Sequence, residues 1–434
     1  MDELIIIGGG LAGSEAAWQA AIRGVRVILY EMRPQKFTEA HRTEFLGELV
    51  CSNSFRSDDP WSAPGCLKQE LARGGSLIMK AAEASRVPAG SALAVDRIRF
   101  SEFITEAISE NHNIGVVREE IVEVPDRISI IATGPLTSGP MTETLGKLIG
   151  EEYLYFYDAI APIVSADSID FGKVYRASRY GKGGDDYINC PMTREEYDIF
   201  YGSLLDADKV NVRAFENQKV FEGCMPVEVM ALRGRDTLRF GPMKPVGLPD
   251  PRTGREPHAV VQLRPENNNG SAYNMVGFQT RMKWPDQDRV FRTIPGLEHA
   301  EFLRFGSVHR NTFINAPLFL EKDLSLRPAG NLYIAGQLSG VEGYIESTAM
   351  GLVAGINAAR RMKGQAAAEV PPATAHGSLI THITTPVKGF QPSNINFGLF
   401  PPPDTSIRDK KLKKKAVVER AIREWQAYAE KVRP

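Results

Sequence analysis

Cysteine is scarce in this chain: 434 residues hold four, Cys51, Cys66, Cys190 and Cys224, at wide and irregular intervals. That spacing excludes a disulfide framework and a zinc ribbon, and no metal centre is expected. Long apolar runs are missing too. No stretch approaches the roughly 18 unbroken residues of a membrane-spanning helix. The early segment LIIIGGGLAG is too short and too rich in glycine for a secretion signal. A cytoplasmic protein with no membrane contact is therefore expected. Charge of one sign is also absent, since 52 basic and 53 acidic side chains leave a net −1. Composition thus excludes bulk attraction to a polyanion, and any such partner must be held by a local patch. There is no internal repeat, and nothing implies an obligate protein partner.

What is present is a 43% hydrophobic composition, enough for a large core and more than one lobe. The segment ELIIIGGGLAGSEAAWQAAIRGVRVILYEMRP runs from an apolar strand through glycines into an alanine-rich helix, then into a second apolar strand. This is a βαβ unit. Gly8, Gly10 and Gly13 supply a tight turn, a close backbone approach to a pyrophosphate and close packing of helix on strand. Gly9, Leu11 and Ala12 complete that turn, and the diphosphate is expected at the helix N-terminus, where unpaired N–H groups favour anions. Glu31 ends the second strand, placed to accept hydrogen bonds from an adenosine ribose. Acid there favours FAD or NAD over the 2′-phosphate of NADP.

Late in the chain, GNLYIAGQLSGVEGYIESTAMGLVAGINAARRM offers a strand, a turn at Gly336 and Gln337, and a helix with Ile345, Ala349, Leu352, Val353 and Ile356 on one face. Flavoproteins of this fold close on the flavin with such an element, an analogy that selects FAD. Between the two, ISIIATGPLTS ends a strand at Thr133 and Gly134, a second nucleotide-contacting turn. The expected architecture is α/β: a discontinuous Rossmann-type FAD-binding domain (1–150 and 325–400), an inserted α+β lobe (151–324) and a basic C-terminal helix (401–434). Within the lobe, VYRASRYGKGGDDYINCPM, KVFEGCMPVEVMA, TLRFGPMKPVGL, HAVVQLRPE and YNMVGFQTRMKW read as short strands, and TREEYDIFYGSLLDAD as a helix. The C-terminal helix, led by Lys410, Lys411, Lys413, Lys414 and Lys415, is expected to be exposed and amphipathic.

Cys51 lies in LVCSNSFRS and Cys224 in EGCMPVE, surrounded by small, polar, glycine or proline neighbours that describe ligand-approaching loops. Cys66, at the start of GCLKQELARG, reads as structural. Taken together, GGGLAGSEAA, LVCSNSFRS, EGCMPVEVMA, LRFGPMKPVGL, YNMVGFQTRMKWPDQ and GQLSGVEGYIES resemble the folate- and FAD-dependent tRNA uracil-5 methyltransferases, relatives of the flavoproteins that modify the wobble uridine. The resemblance covers nearly all of residues 1–400. It implies methyl transfer to carbon 5 of a uridine in the tRNA T loop, with methylenetetrahydrofolate as carbon donor, FAD as cofactor and NADH or NADPH as reductant. It also implies a nucleophile at Cys224 and an acid/base partner at Cys51, roles that are open to reversal. A ribosomal RNA uridine as target, or a flavin-dependent oxidoreductase acting on a small metabolite, are the alternatives.

Both thiols need help to ionise at neutral pH, and Arg56 is the nearby candidate. Glu342, Gly343 and Tyr344 are expected near the flavin, with Glu342 placed to contact folate or to serve as a first-turn carboxylate. For RNA, DRIRF supplies Arg97, Arg99 and Phe100, and RMKW supplies Arg281, Lys283 and Trp284: basic side chains beside stacking surfaces for a turned-out base.

Overall fold

The structure is a computed structural model describing residues 3–150, 154–182, 184–210, 225–403 and 407–434. Its main sheet is six-stranded, in the order 325–326, 329–334, 129–131, 4–7, 27–30, 114–117. All neighbours run parallel except the outermost pair, 325–326 with 329–334. Strand Ser129–Ile131 is inserted between the first strand and Ala329–Ile334, with Ser129 opposite both Ile5 and Leu332. The early and late parts of the chain therefore share one sheet, as the α/β expectation requires.

Glycine sets how closely this layer packs. The glycine-turn helix Leu11–Ala21 lies against the late helix Tyr344–Met362. A Cβ on Gly351 would stand 2.3 Å from the Ala12 carbonyl oxygen, and one on Gly355 2.6 Å from that of Ala16. Only a backbone without side chains at those two points, four residues apart on one helix face, lets the helices touch. Residues Ile345 to Ala359 are all buried, a wider buried surface than the single apolar face expected.

The inserted lobe has its own six-stranded sheet, entirely antiparallel, in the order 175–176, 188–192, 259–265, 272–275, 163–165, 302–304. Helix Arg194–Leu205 starts on a capping box between Thr193 and Glu196 and buries Tyr197, Phe200 and Leu204 in a second core. Two expectations are corrected. TLRFGPMKPVGL contains a one-turn helix, Thr237–Phe240, followed by turns, because Pro242 and Pro245 cannot donate to a ladder. VEVMA is helical as well, Val227–Leu232, entered from Pro226. An antiparallel pair, 154–160 with 307–313, carries the chain into and out of the lobe.

The C-terminal helix Lys410–Lys431 is not the exposed appendage expected. Its lysine-bearing start is solvated, but Val417, Val418, Ala421, Trp425 and Tyr428 are buried in the main core. Cys66, fully buried on helix Ala63–Arg73, is structural as expected, and burial pushes its thiol far up.

Candidate active site

A cavity with about 1030 Å³ of empty space, part of it open to solvent, runs along the carboxyl ends of the parallel strands. Gly8, Gly10, Leu11 and Ala12 line one side, with Tyr30 to Arg33, Thr133 and Gly134, Gly336, Gln337 and Tyr344 around it. Parallel strands leave such a crevice where neighbouring connections diverge. Backbone geometry shapes it. Gly8 has φ +104° and would place a Cβ 2.6 Å from the Ala132 carbonyl oxygen; a Cβ on Gly13 would stand 1.8 Å from that of Gly8. At Gly10 a Cβ would meet nothing within 4 Å, because it would project into the cavity. The helix beginning at Leu11 has neither a capping side chain nor an acidic residue in its first turn, so its amides are left for an anion.

Glu31 stands at the end of this groove, 6% exposed. One carboxylate oxygen accepts from the Gly9 amide at 2.9 Å, the other from the Arg33 amide and Nε at 3.1 and 2.9 Å. Burial opposes its charge, but the Arg33 hydrogen bond and charge, with the two amides, hold the carboxyl below its usual range. A carboxylate has further lone pairs, so Glu31 can still accept from a ribose. An open site at Gly10, uncapped helix amides and a buried, ionised Glu31 together fit a dinucleotide whose adenosine ribose carries no 2′-phosphate, such as FAD.

The Cys51 loop borders the same cavity through Val50. Tyr344, the first residue of the late helix, lines the cavity and accepts from the Cys51 amide at 3.0 Å. Arg97 donates to the carbonyls of Leu49 and Cys51 at 2.6 and 2.7 Å and pairs closely with Glu266 of the inserted lobe. Arg304 donates to the Val50 carbonyl at 2.9 Å, and Arg264 to Asn53 Oδ1 at 2.9 Å. Asn53 in turn donates to the carbonyls of Val95 and Pro265, each at 3.0 Å. The loop is thus held from both lobes at once. The backbone of Cys51 is fixed, and the residue is partly exposed and in no disulfide.

A family model described as glucose inhibited division protein A matches residues 3–366. A curated protein of Geobacter sulfurreducens, methylenetetrahydrofolate–tRNA-(uracil-5-)-methyltransferase TrmFO, is 59% identical over 96% of this chain and 97% of its own length. The like-named protein of Acetivibrio thermocellus is 54% identical over 99% of both chains. This chain belongs to the TrmFO family. Among solved structures, Aquifex aeolicus GidA superposes with a TM-score of 0.71 at 17% identity, covering 98% of this chain and 73% of that one, a likeness of fold.

In this TrmFO-family chain, ten of the sequence-derived nucleotide residues line the cavity: Gly8, Gly10, Leu11, Ala12, Glu31, Thr133, Gly134, Gly336, Gln337 and Tyr344. Gly9 and Gly13 lie behind that surface, supporting Glu31 and the helix approach. Glu342 is 8% exposed and accepts from Gln337 at 2.5 Å; Gly343, at φ +112°, caps the late helix. Cys224 lies outside the described residues.

The basic residues divide. Arg97 is not placed to meet RNA: most of its N–H groups are spent on Glu266 and the Cys51 loop. Arg281 lies 3.7 Å from buried Glu228, and Lys283 pairs with Asp208 at 3.0 Å. Arg99 is exposed. Arg56, expected beside Cys51, instead pairs closely with Glu346, which is fully buried in the first turn of the late helix. Burial drives the Glu346 carboxyl above its usual range, against Arg56 and the Ile395 amide. Sequence reading missed Arg33, Glu48, Arg264, Glu266, Arg304 and Glu346. Of these, Arg33 stands beside a recognised motif and Glu346 within one, in the first turn of the late helix, while Glu48, Arg264, Glu266 and Arg304 sit in strands or loops that carry no local signal of their partners.

Proposed function

We propose that this chain forms 5-methyluridine in the T loop of tRNA, with methylenetetrahydrofolate as carbon donor, FAD as cofactor and NADH or NADPH as reductant. The reading is carried by one observation: in a chain 59% identical to a named tRNA uracil-5 methyltransferase, the Cys51 loop borders a cavity shaped for a dinucleotide. Bound FAD, when reduced, supplies the electrons that turn a transferred methylene into a methyl group. The Gly8–Gly13 turn would hold its pyrophosphate and Glu31 its ribose.

Carbon 5 of uracil is a poor nucleophile until a thiolate adds to carbon 6. Cys224 is assigned that addition: a sulfur–carbon 6 bond forms, the ring double-bond electrons move toward oxygen 4, and carbon 5 attacks the methylene carbon. The proton on carbon 5 must then leave, and Cys51 is assigned its removal; the electrons left behind form a double bond to the methylene carbon as its bond to the tetrahydrofolate nitrogen breaks and the amine departs. Expulsion of the thiolate restores the ring double bond once the methylene has been reduced. Arg97 holds the Cys51 carbonyl, Arg304 that of Val50 and Arg264 the Asn53 side chain, so the loop stays in place throughout.

The test is incubation of the flavin-loaded protein with unmodified tRNA, methylenetetrahydrofolate and NADH or NADPH, followed by nucleoside mass spectrometry. 5-Methyluridine in the T loop is expected; its absence overturns the reading, and product only on a ribosomal RNA fragment moves the substrate. With 5-fluorouridine tRNA, Cys224→Ala should abolish the covalent adduct. An adduct that survives in Cys224→Ala but is lost in Cys51→Ala reverses the two roles.

A further inference from the structure

Three guanidinium groups converge on the Cys51 loop, and among the described residues one carboxylate answers them. Arg97 has Glu266. Arg264, 7% exposed on the strand Ala259–Pro265, spends Nε on Asn53 and Nη2 on Ser52. Arg304, closing the strand Phe302–Arg304, spends one N–H on the Val50 carbonyl. Among the described residues, no carboxylate stands within ion-pair distance of Arg264 or Arg304.

Arg304 is the less satisfied of the two. It is largely screened from water, and Arg97 and Arg42 add like charge to its surroundings. A cation so placed costs free energy unless an anion joins it. The groups that act on it from the favourable side are Cys51, whose loop borders the cavity through Val50, and Tyr344, which lines it. Arg304 is partly exposed and one N–H is spent on Val50, which itself lines the cavity; a guanidinium with further N–H groups to give matches an oxyanion, which it can hold through two parallel hydrogen bonds.

We propose that Arg304 binds the backbone phosphate of the nucleotide being modified. The inference rests on the RNA-methylating reading above and deepens it. A uridine turned out of its stack carries its phosphate with it, one ribose away from the reacting ring. The glutamate carboxylates of a folate lie at the far end of that molecule from its reacting carbon. Arg304 bonds the residue next to Cys51, to which the carbon 5 proton is assigned, and so serves the end of the substrate that carries the target nucleotide's phosphate rather than the far end of the folate. It is a positioning residue: it sets where the base stands relative to Cys51 and takes no part in bond making.

The experiment uses the flavin-loaded full chain and a synthetic T-arm stem–loop with an unmodified target uridine. In a parallel set of stem–loops, one phosphate at a time is a neutral methylphosphonate. Arg304→Gln should weaken binding of the stem–loop, measured without turnover, about tenfold, raise KM for the RNA, and reduce the slope of log affinity on log salt by roughly 0.7, a change that loosening of the Cys51 loop alone would not produce. Arg304→Lys should recover part of the loss. A methylphosphonate beside the target uridine should weaken the wild-type protein by a similar factor and add nothing to Arg304→Gln. Additive losses overturn the proposal. So does unchanged RNA affinity with a raised KM for methylenetetrahydrofolate, which would give the guanidinium to a folate carboxylate. Should both variants fail to fold, the wild-type scan still decides, because no loss at the phosphates flanking the target overturns the idea. Binding needs no turnover: wild-type protein that shows the phosphate effect yet forms no 5-methyluridine would sink the functional reading and leave this one standing.

Discussion

The dinucleotide cavity and the Cys51 loop border each other and are built in opposite ways. The cavity is shaped by the absence of side chains: Gly8, Gly10 and Gly13 leave backbone and helix amides facing inward. The loop is held by long side chains, with guanidiniums from three separate elements gripping its carbonyls and polar groups. A glycine cradle is local, and its geometry follows from a few consecutive residues. An arginine cage is assembled from positions as far apart as Arg97 and Arg304, so it exists only when both lobes are folded. Errors in the first should strike the cofactor, and errors in the second should strike catalysis and the joint between lobes.

The largest expected effect tests the cage. Arg97→Met leaves Glu266 buried without its partner, at a cost of about 3 kcal/mol or more, visible as a lowered midpoint in urea. Replacing Glu266 by Leu as well should return most of that. If the single variant is as stable as wild type, the two regions are not held together as described. Gly13→Ala tests the cradle. Its methyl would stand 1.8 Å from the Gly8 carbonyl oxygen, and overpacking of this kind costs about 1–3 kcal/mol. The protein should purify without yellow absorbance, and retained flavin would contradict the account of the turn.

A pH series separates the regions further. Glu31 is held below the usual carboxylate range, so its folded form binds protons less readily than its unfolded form. Its stabilisation is present above the unfolded value and is lost as pH falls through the folded one. Glu346 is shifted upward, so its contribution runs the other way: present in acid, and lost as pH rises from the ordinary carboxylate value through the raised one. Glu31→Gln should flatten the acid side of the stability profile, and Glu346→Gln the side above it. Matching profiles for the two variants would remove the contrast. The smallest effect is expected of Tyr344→Phe, which deletes the acceptor of the Cys51 amide. About 1 kcal/mol of stability and a several-fold drop in kcat are expected, with FAD retained, because the ring still lines the cavity. Loss of flavin instead would place Tyr344 in the cradle rather than between the two regions.

Most of the cavity was legible in the chain because the forces that build it act over short separations. Gly8 to Gly13 and Glu31 sit in one βαβ unit, where strand period, glycine position and helix start can be read from neighbours. Thr133, Gly134, Gly336 and Gln337 were legible for the same reason, each ending an apolar strand at a glycine turn. The basic residues were not. Arg97 and Lys283 look alike in the sequence as cations beside aromatics, and the fold alone gave one to Glu266 and the other to Asp208. The same holds for Arg56, whose nearness to Cys51 along the chain lost to a buried Glu346 close to it in space.

By itself, then, the sequence determined the α/β class, the glycine turn with its acidic ribose acceptor, and the family through the motifs around its cysteines. The tertiary structure decided how the guanidiniums are divided, which arginine beside Cys51 meets no carboxylate among the described residues, and that the lysine-led helix buries Trp425. The physical reason is range. Backbone conformation and hydrophobic period are written in adjacent residues, whereas the partner of a long charged side chain depends on which distant carboxylate folding brings within reach.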